Sequence, residues 1–534
     1  MTFDTRQALS IQAARTINVG RGSGGGGPVG DWLVHAGIAR YSNFSLEAIY
    51  PRPDAETASF AYHRKTHSQL NYRVPVGVRG GSVPYRFELI QAPEDMTIGQ
   101  EMNRTVDIET GKIIHAPGET YGIINWEDAE ATGTHTVQVR VTDQLGETID
   151  LTWEVECDDD AFVFLNSTSG NDANAGTFEA PLQTFHAGLW RGSDADNTYA
   201  GKIAIFTGTF DIYAAEPNTS PALSAAKPLS YIGVGGCTFN TSQGHFRTSG
   251  NITDLTEMGI DFTGSRTDLS NNRIHNFTNR LLRHTQSECS FDNITPGTNP
   301  TDNPACNFYA DGLSHQYLYY SRNVLGDNCA EQLYCIFESQ HVLDEFSEGM
   351  NLNIATGTNG GSAVHWKDDT SFAELRFAML KGTANQLIHL AQQNTNWPGA
   401  VSATDQEVRF NTLIYNSSGS SVLQALFQNS QSSSGSNGRN LFIYRNTIIS
   451  SRRAYTIRNS SIEGQTFPVN VFDDLYVDGD GSTTSGLDSV DTPEGGQNAA
   501  SLSISDFNAT GELVGSARAT YLGLAGAEIA GEAA

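Results

Sequence analysis

Residues 442–451 read "FIYRNTIISS" and residues 408–417 read "VRFNTLIYNS". Each is a short apolar strand with an asparagine inside it, Asn446 and Asn411. The same layout recurs around Asn323 in "YSRNVLG", Asn353 in "NLNIATG", Ala378 in "LRFAMLKG" and Asp473 in "VFDDLYV". In chain order these positions are 30, 25, 33, 35 and 27 residues apart. An irregular repeat in the range of about 20–50 residues predicts a solenoid, each repeat one coil and each insertion an outward loop. Leu, Ile, Val and Phe would stack inward, coil upon coil. Asn at a bend can bond the next Asn and the backbone of the turn, so the repeated asparagines read as structural. Earlier coils are expected at "KIAIFTGTF" (202–210), "LSYIGVGG" (229–236) and "GIDFTGS" (259–265).

The segment "FVFLNSTSGNDANAGTFEAPLQTFHAGL" (162–189) resembles the opening of right-handed parallel β-helix proteins: a first strand, a Gly-Asn-Asp turn and a short capping helix. Such a helix covers the open end of a solenoid, where strand edges and core would meet water. "GELVGSARATYLGLAG" (511–526) is similar to the usual ending of these proteins. The resemblance implies a right-handed parallel β-helix over 158–526, followed by a tail at 527–534.

Upstream the pattern differs. Residues 1–59 read as an arm with a Gly-rich joint, "GRGSGGGGPVGDW", the form of an attachment segment. Residues 60–157 carry alternating strands such as "YRFELI" (85–90), "HTVQVRVTD" (135–143) and "DLTWEVE" (150–156). "SVPYRFELIQAPEDMTI" and "THTVQVRVTDQLGETIDLTWEV" resemble immunoglobulin-like and cadherin-like modules of bacterial and phage surface proteins. The fold class expected is therefore all-β, an immunoglobulin-like β-sandwich followed by the solenoid. Some relatives of such modules bind calcium, which makes Asp107, Glu109 and Asp143 candidate ligands. The alternative for "VTDQLGE" is a capped hairpin. No cofactor is required by any motif, and calcium is the one candidate ion.

The chain carries 32 Lys and Arg against 60 Asp and Glu, a formal net charge of −28. That field opposes binding to a phosphate backbone, so nucleic acid is not an expected partner. There is no apolar run of about 18 residues to insert in a membrane, and the first twenty residues lack a basic-then-apolar export signal. Six cysteines with no CxxC pair argue against a zinc site. They leave open one or two disulfides among Cys289, Cys306, Cys329 and Cys335, or buried thiols.

Parallel coils about 4.8 Å apart offer long flat rows suited to a linear polysaccharide. Three stretches carry candidate chemistry. "AVHWKDDTSFAELRF" (363–377) gathers His365, Trp366, Lys367, Asp368, Asp369 and Arg376. Its Lys-containing strand is faintly similar to that of β-helix polysaccharide lyases. There Lys367 would be the base, with His365 and Arg376 assisting, and Trp366, Asp368 and Asp369 would bind substrate. Asp368-Asp369 departs from the serines of that pattern, and a solvated corner is the alternative. "NFYADGLSHQYLYYSRN" (307–323) offers Asp311, His315 and Tyr317 for sugar stacking and hydrogen bonding, or a strand with alternate tyrosines buried. Asp327, Glu331, Glu338, Asp344, Glu345 and Glu348 lie close in sequence, so a pair of glycosidase carboxylates is a third option, against a solvated acidic loop.

Arm, spacer and β-helix together resemble bacteriophage tailspikes and virion-surface fibres. The resemblance implies a homotrimer on the virion surface, joined to other virion proteins through its arm. It implies binding of host-surface polysaccharide, with cleavage of that glycan left open. The alternatives are a secreted polysaccharide lyase or glycoside hydrolase of the β-helix class, and a bacterial surface adhesin.

Overall fold

The computed structural model describes, with internal gaps, residues 44–189 and the strands and turns between 202 and 503. Residues 1–43 of the expected arm and joint, the Asp473 bend and the 511–526 ending lie outside the described residues, whereas Glu47–Tyr50, also assigned to that arm, is a strand paired with Gly77–Arg79 of the N-terminal sheets. Within them the chain is all-β, dominated by one long parallel system of 22 strands.

Three rows of short strands stack coil on coil, as in a β-helix-like solenoid. The first row runs through Phe162–Asn166, Leu318–Ser321, Gln340–Glu345, Ser371–Arg376 and Gln406–Arg409 to Val469–Phe472. The second includes Asp261–Thr263, Ser290–Asp292, Met379–Gly382 and Thr412–Tyr415. The third is a five-stranded parallel sheet from Tyr334–Phe337 to Arg453–Ser460. Registers are parallel throughout, for example Leu343↔Glu374↔Glu407↔Phe442. Alternate side chains of each strand therefore face the interior, and Leu375, Val408 and Ile443 pile up there.

Between first and second rows the chain turns through one left-handed residue, with φ of 56–58° at Glu288, Arg322, Phe346, Phe377 and Phe410. The residue after it forms a second column, Cys289, Asn323, Ser347, Ala378 and Asn411, tied coil to coil by backbone N–H···O bonds. Here the asparagines act. Asn411 Oδ1 accepts the Ala378 N–H at 2.9 Å, and its Nδ2 donates to Leu375 O and to Asn446 Oδ1. Asn323 Oδ1 accepts the Cys289 N–H at 2.9 Å and its Nδ2 donates to Gln286 O. A carboxamide at this bend satisfies both a donor and an acceptor that the turn leaves unpaired inside the core. In the coil where Asn353 was expected, Ser347 holds the column's place, and Asn353 lies outside the described residues. We expect Asn411→Ala to cost about 1–3 kcal/mol, the penalty for stranding buried backbone groups. Thermal unfolding of the variant beside Ala378→Gly, which removes no side-chain bond, separates this from simple loss of bulk.

The opening coil is capped by the helix Phe185–Leu189. Thr184 Oγ1 accepts the Ala187 N–H, and Asp172 holds the Gln183 and Thr184 N–H groups. This drives the buried ring of Phe185 onto Phe206 and Phe239, 6.0 and 5.8 Å away, and closes the core's end.

Residues 44–157 form small sheets. Gly133–Thr142 pairs antiparallel with Thr148–Cys157 over ten positions, with Arg86–Gln91 on its free edge and Lys65–Thr66 parallel on the other side. The alternation expected for half-buried strands is present: Leu151, Trp153 and Val155 are buried between exposed neighbours. A three-stranded sheet of Tyr72–Pro75, Ile123–Trp126 and Thr97–Ile98 shares their core. These sheets lie on the outer side of the solenoid's first row. One apolar cluster joins Val76, Val78, Tyr85 and Phe87 to Tyr319, Phe346, Phe377 and Phe410. Gly77 has to be glycine because a Cβ there would sit 2.5 Å from the Tyr319 ring.

Candidate functional site

The lyase-like constellation does not assemble. His365 and Lys367 lie in the third-row strand Val364–Lys367, in register with His389 and Ala391 of the next coil. The buried His365 ring stacks on His389 at 4.3 Å. Trp366 points into the core beside Val364 and Leu390, at 1% exposure. It therefore presents no face to a sugar.

Arg376 belongs to a different row and is 1% exposed. Its Nη2 donates to Glu345 Oε2 at 2.7 Å and to Val78 O, and its Nη1 to Glu374 Oε1 and to the Tyr85 hydroxyl oxygen. Arg409 binds the same Glu374 through Nε at 2.7 Å and reaches the carbonyls of Gly80 and Gly81. Gly80 N–H donates to Glu374 Oε2, and Tyr85 OH to Gly80 O. Burial pushes the Glu374 carboxyl up, but Arg409 and Arg376 pull it net below its ordinary value. The arginine expected to assist catalysis is a clamp between the N-terminal sheets and the solenoid.

Tyr317 also faces the N-terminal sheets. It stacks on His341 at 4.7 Å, and the Arg52 guanidinium lies 3.7 Å above its ring. Asp143 caps a hairpin: Oδ1 accepts the N–H groups of Leu145 and Glu147, and Oδ2 that of Ser82. Those bonds fit the capped-hairpin reading of the segment. Asp107 lies in Arg104–Asp107, whose side chains are not among the described ones. Glu109, Asp311, His315, Asp368 and Asp369 lie outside the described residues. No group of three or more metal-ligating side chains occurs among the described residues. Of the six carboxylates offered for a glycosidase pair, Asp327, Glu331 and Glu338 lie outside the described residues, while Asp344 faces the interior and its neighbour Glu345 faces the clamp.

A second-row surface that the sequence analysis passed over is better formed. Four coils carry a polar-Phe-polar triplet: Thr209-Phe210-Asp211, Thr238-Phe239-Asn240, Asp261-Phe262-Thr263 and Ser290-Phe291-Asp292. They stand in register. The phenylalanines point inward and pile up, with Phe239–Phe262 at 5.7 Å and Phe262–Phe291 stacked at 5.1 Å. The residues flanking each Phe must then point outward, and none of them is buried. They form two parallel polar columns with a step of about 4.8 Å. Asn240 Nδ2 donates to Asp211 Oδ1 at 2.7 Å, and Ser290 Oγ to Asp261 Oδ1 at 2.5 Å, so neighbouring coils hold one another's side chains in place. The three carboxylates have no lysine or arginine among the triplets, so the surface accepts hydrogen bonds and repels anions. The recurring polar-Phe-polar pattern was the signal that sequence reading could have used.

Stacked parallel coils with an exposed polar row define a β-helix-like solenoid protein. No protein-family model, curated protein or solved structure matches the chain.

Proposed function

We propose that the chain is a bacteriophage virion-surface spike or fibre protein that binds host-surface polysaccharide along the triplet columns of the second row. The observation that carries the reading is the exposed, in-register polar face over four coils, anchored by the inward phenylalanines. A repeating glycan meets a repeating surface there, and its hydroxyl groups can donate to Asp211, Asp261 and Asp292 while accepting from Thr238 and Asn240. The same carboxylates favour an uncharged chain over a uronate polymer. In this reading the winding is right-handed, the N-terminal sheets are an immunoglobulin-like spacer, the arm joins other virion proteins, and the assembly is a homotrimer.

The test is binding of the full chain to uncharged polysaccharides, to alginate and pectate, and to purified bacterial surface glycans. Uncharged glycans should bind, and Asp261→Ala with Asp292→Ala should weaken them at least about tenfold by removing charged hydrogen-bond acceptors. These are surface substitutions, so the unfolding temperature should stay put. Unchanged affinity in the double variant, or binding confined to the anionic polymers, would overturn the reading.

A further inference from the structure

The solenoid's apolar interior is interrupted by a column of polar groups. Along the inward positions of the first row, Glu257, Gln286, Tyr320 and Asp344 occupy four successive coils, between Tyr231 before them and Leu375 after. All four are buried at 1% exposure or less. Glu257 is enclosed by donors: its Oε1 lies 2.8 Å from His275 Nε2, and its Oε2 lies 3.1 Å from His284 Nε2 and 3.0 Å from Gln286 Nε2. His284 Nδ1 is 3.5 Å from the Tyr320 hydroxyl.

Asp344, at the far end, is supported quite differently. Ser347 Oγ donates to its Oδ1, while its Oδ2 has no hydrogen-bond partner among the described residues. A charged carboxylate with an unbonded buried oxygen is unfavourable, and taking up a proton relieves it. Asp344 and Glu345 are consecutive in the strand Gln340–Glu345, one facing the interior and the other facing out. Glu345 is the residue that holds Arg376 at 2.7 Å and accepts from the Tyr319 hydroxyl at 2.8 Å. Whatever moves this strand therefore moves the clamp on the N-terminal sheets.

We propose that the column is a pH-sensitive lock, in which Asp344 keeps a proton while Gln340–Glu345 is seated, and loss of that proton to solvent unseats the strand and slackens the Glu345–Arg376 grip. The proposal is independent of the glycan reading. Burial pushes the Asp344 carboxyl up to about 7, with Ser347 opposing and Glu345 adding to the rise. Glu257, His284, Tyr320 and Cys289, which also face the column, do not share this titration. Glu257 stays ionised: burial pushes it up, but His275 and His284 outweigh that and hold it below its ordinary value. Burial lowers His284, against the pull of Glu257. Burial also raises the Tyr320 hydroxyl and the Cys289 thiol well above their usual ranges, so both remain protonated near neutrality.

The sign follows from a folded value above the unfolded one. The protonated carboxyl suits the fold, so Asp344 does no harm at low pH. Stability falls as pH rises from the ordinary carboxylate range through about 7, and levels off above it. The test is hydrogen exchange of the full chain, corrected for intrinsic rates, in peptides covering 340–345 and 77–81. Opening of both should rise on the order of tenfold between about pH 5.5 and about pH 8.5, and Asp344→Asn should flatten that rise. A wild type without the rise, or an Asn variant that keeps it, would overturn the lock. Should Asp344→Asn fail to fold, infrared spectra of the wild type decide. A protonated carboxyl band that disappears between about pH 6 and about pH 8 supports the proposal, and no such band at about pH 6 overturns it.

Discussion

Arg376→Ala should destabilise the protein by about 3–5 kcal/mol, the cost of removing one partner from a buried ion network. Arg376 is the centre of that network. It bridges Glu345 and Glu374 on the solenoid to Val78 O and the Tyr85 hydroxyl on the N-terminal sheets. Without it Glu345 loses the one cation it pairs with among the described residues, and the fully buried Glu374 is left to Arg409. The loss should show first where the two parts meet. Protease sensitivity in residues 76–85 should rise before the coils themselves unfold. Arg376→Lys should recover only part of the loss, because an ammonium cannot span two carboxylates and a carbonyl in the fork geometry of a guanidinium. Denaturant unfolding of the three proteins measures the difference. Equal stability of wild type and Arg376→Ala would mean that the network contributes nothing.

Trp366→Ala is the second large effect, again about 3–5 kcal/mol, this time from the cavity left in the core. It also separates two accounts of the same residue. If Trp366 were a platform for sugars, the variant would lose glycan binding and keep its stability. Its ring instead lies among Val364, Leu390 and other inward side chains. The midpoint of unfolding should therefore fall, while the affinity of the fraction that remains folded should be unchanged. Thermal unfolding and binding measured on one sample decide between them.

The coil repeat was legible because its signal is local and periodic. The asparagines at 323, 411 and 446 each solve the same backbone problem, so the same residue type recurs. The member at Ser347 escaped because that coil is short and Asn353 lies nearby as a decoy. The capping helix was legible for a similar reason, since its Asp172 and Thr184 capping groups sit in the segment itself. The constellation at 363–377 misled because neighbours along a strand point to opposite sides. His365 and Trp366 are adjacent in sequence yet face out and in, and Arg376 lies in another row altogether.

The clamp could not be read in advance. Its partners are 291 to 329 residues apart in the chain, and charged residues inside a strand ordinarily signal a solvated face. The N-terminal sheets supply the Gly80 and Gly81 carbonyls and the Tyr85 hydroxyl that make those charges tolerable.

The most direct measurement of the central claim is a crystal structure of the full chain with an uncharged oligosaccharide bound. The account predicts sugar density lying across the coils on the Thr209-to-Ser290 and Asp211-to-Asp292 columns, with hydroxyl groups on Asp261 and Asp292. Density over His365 and Lys367 on the third row, with the triplet columns bare, would contradict it.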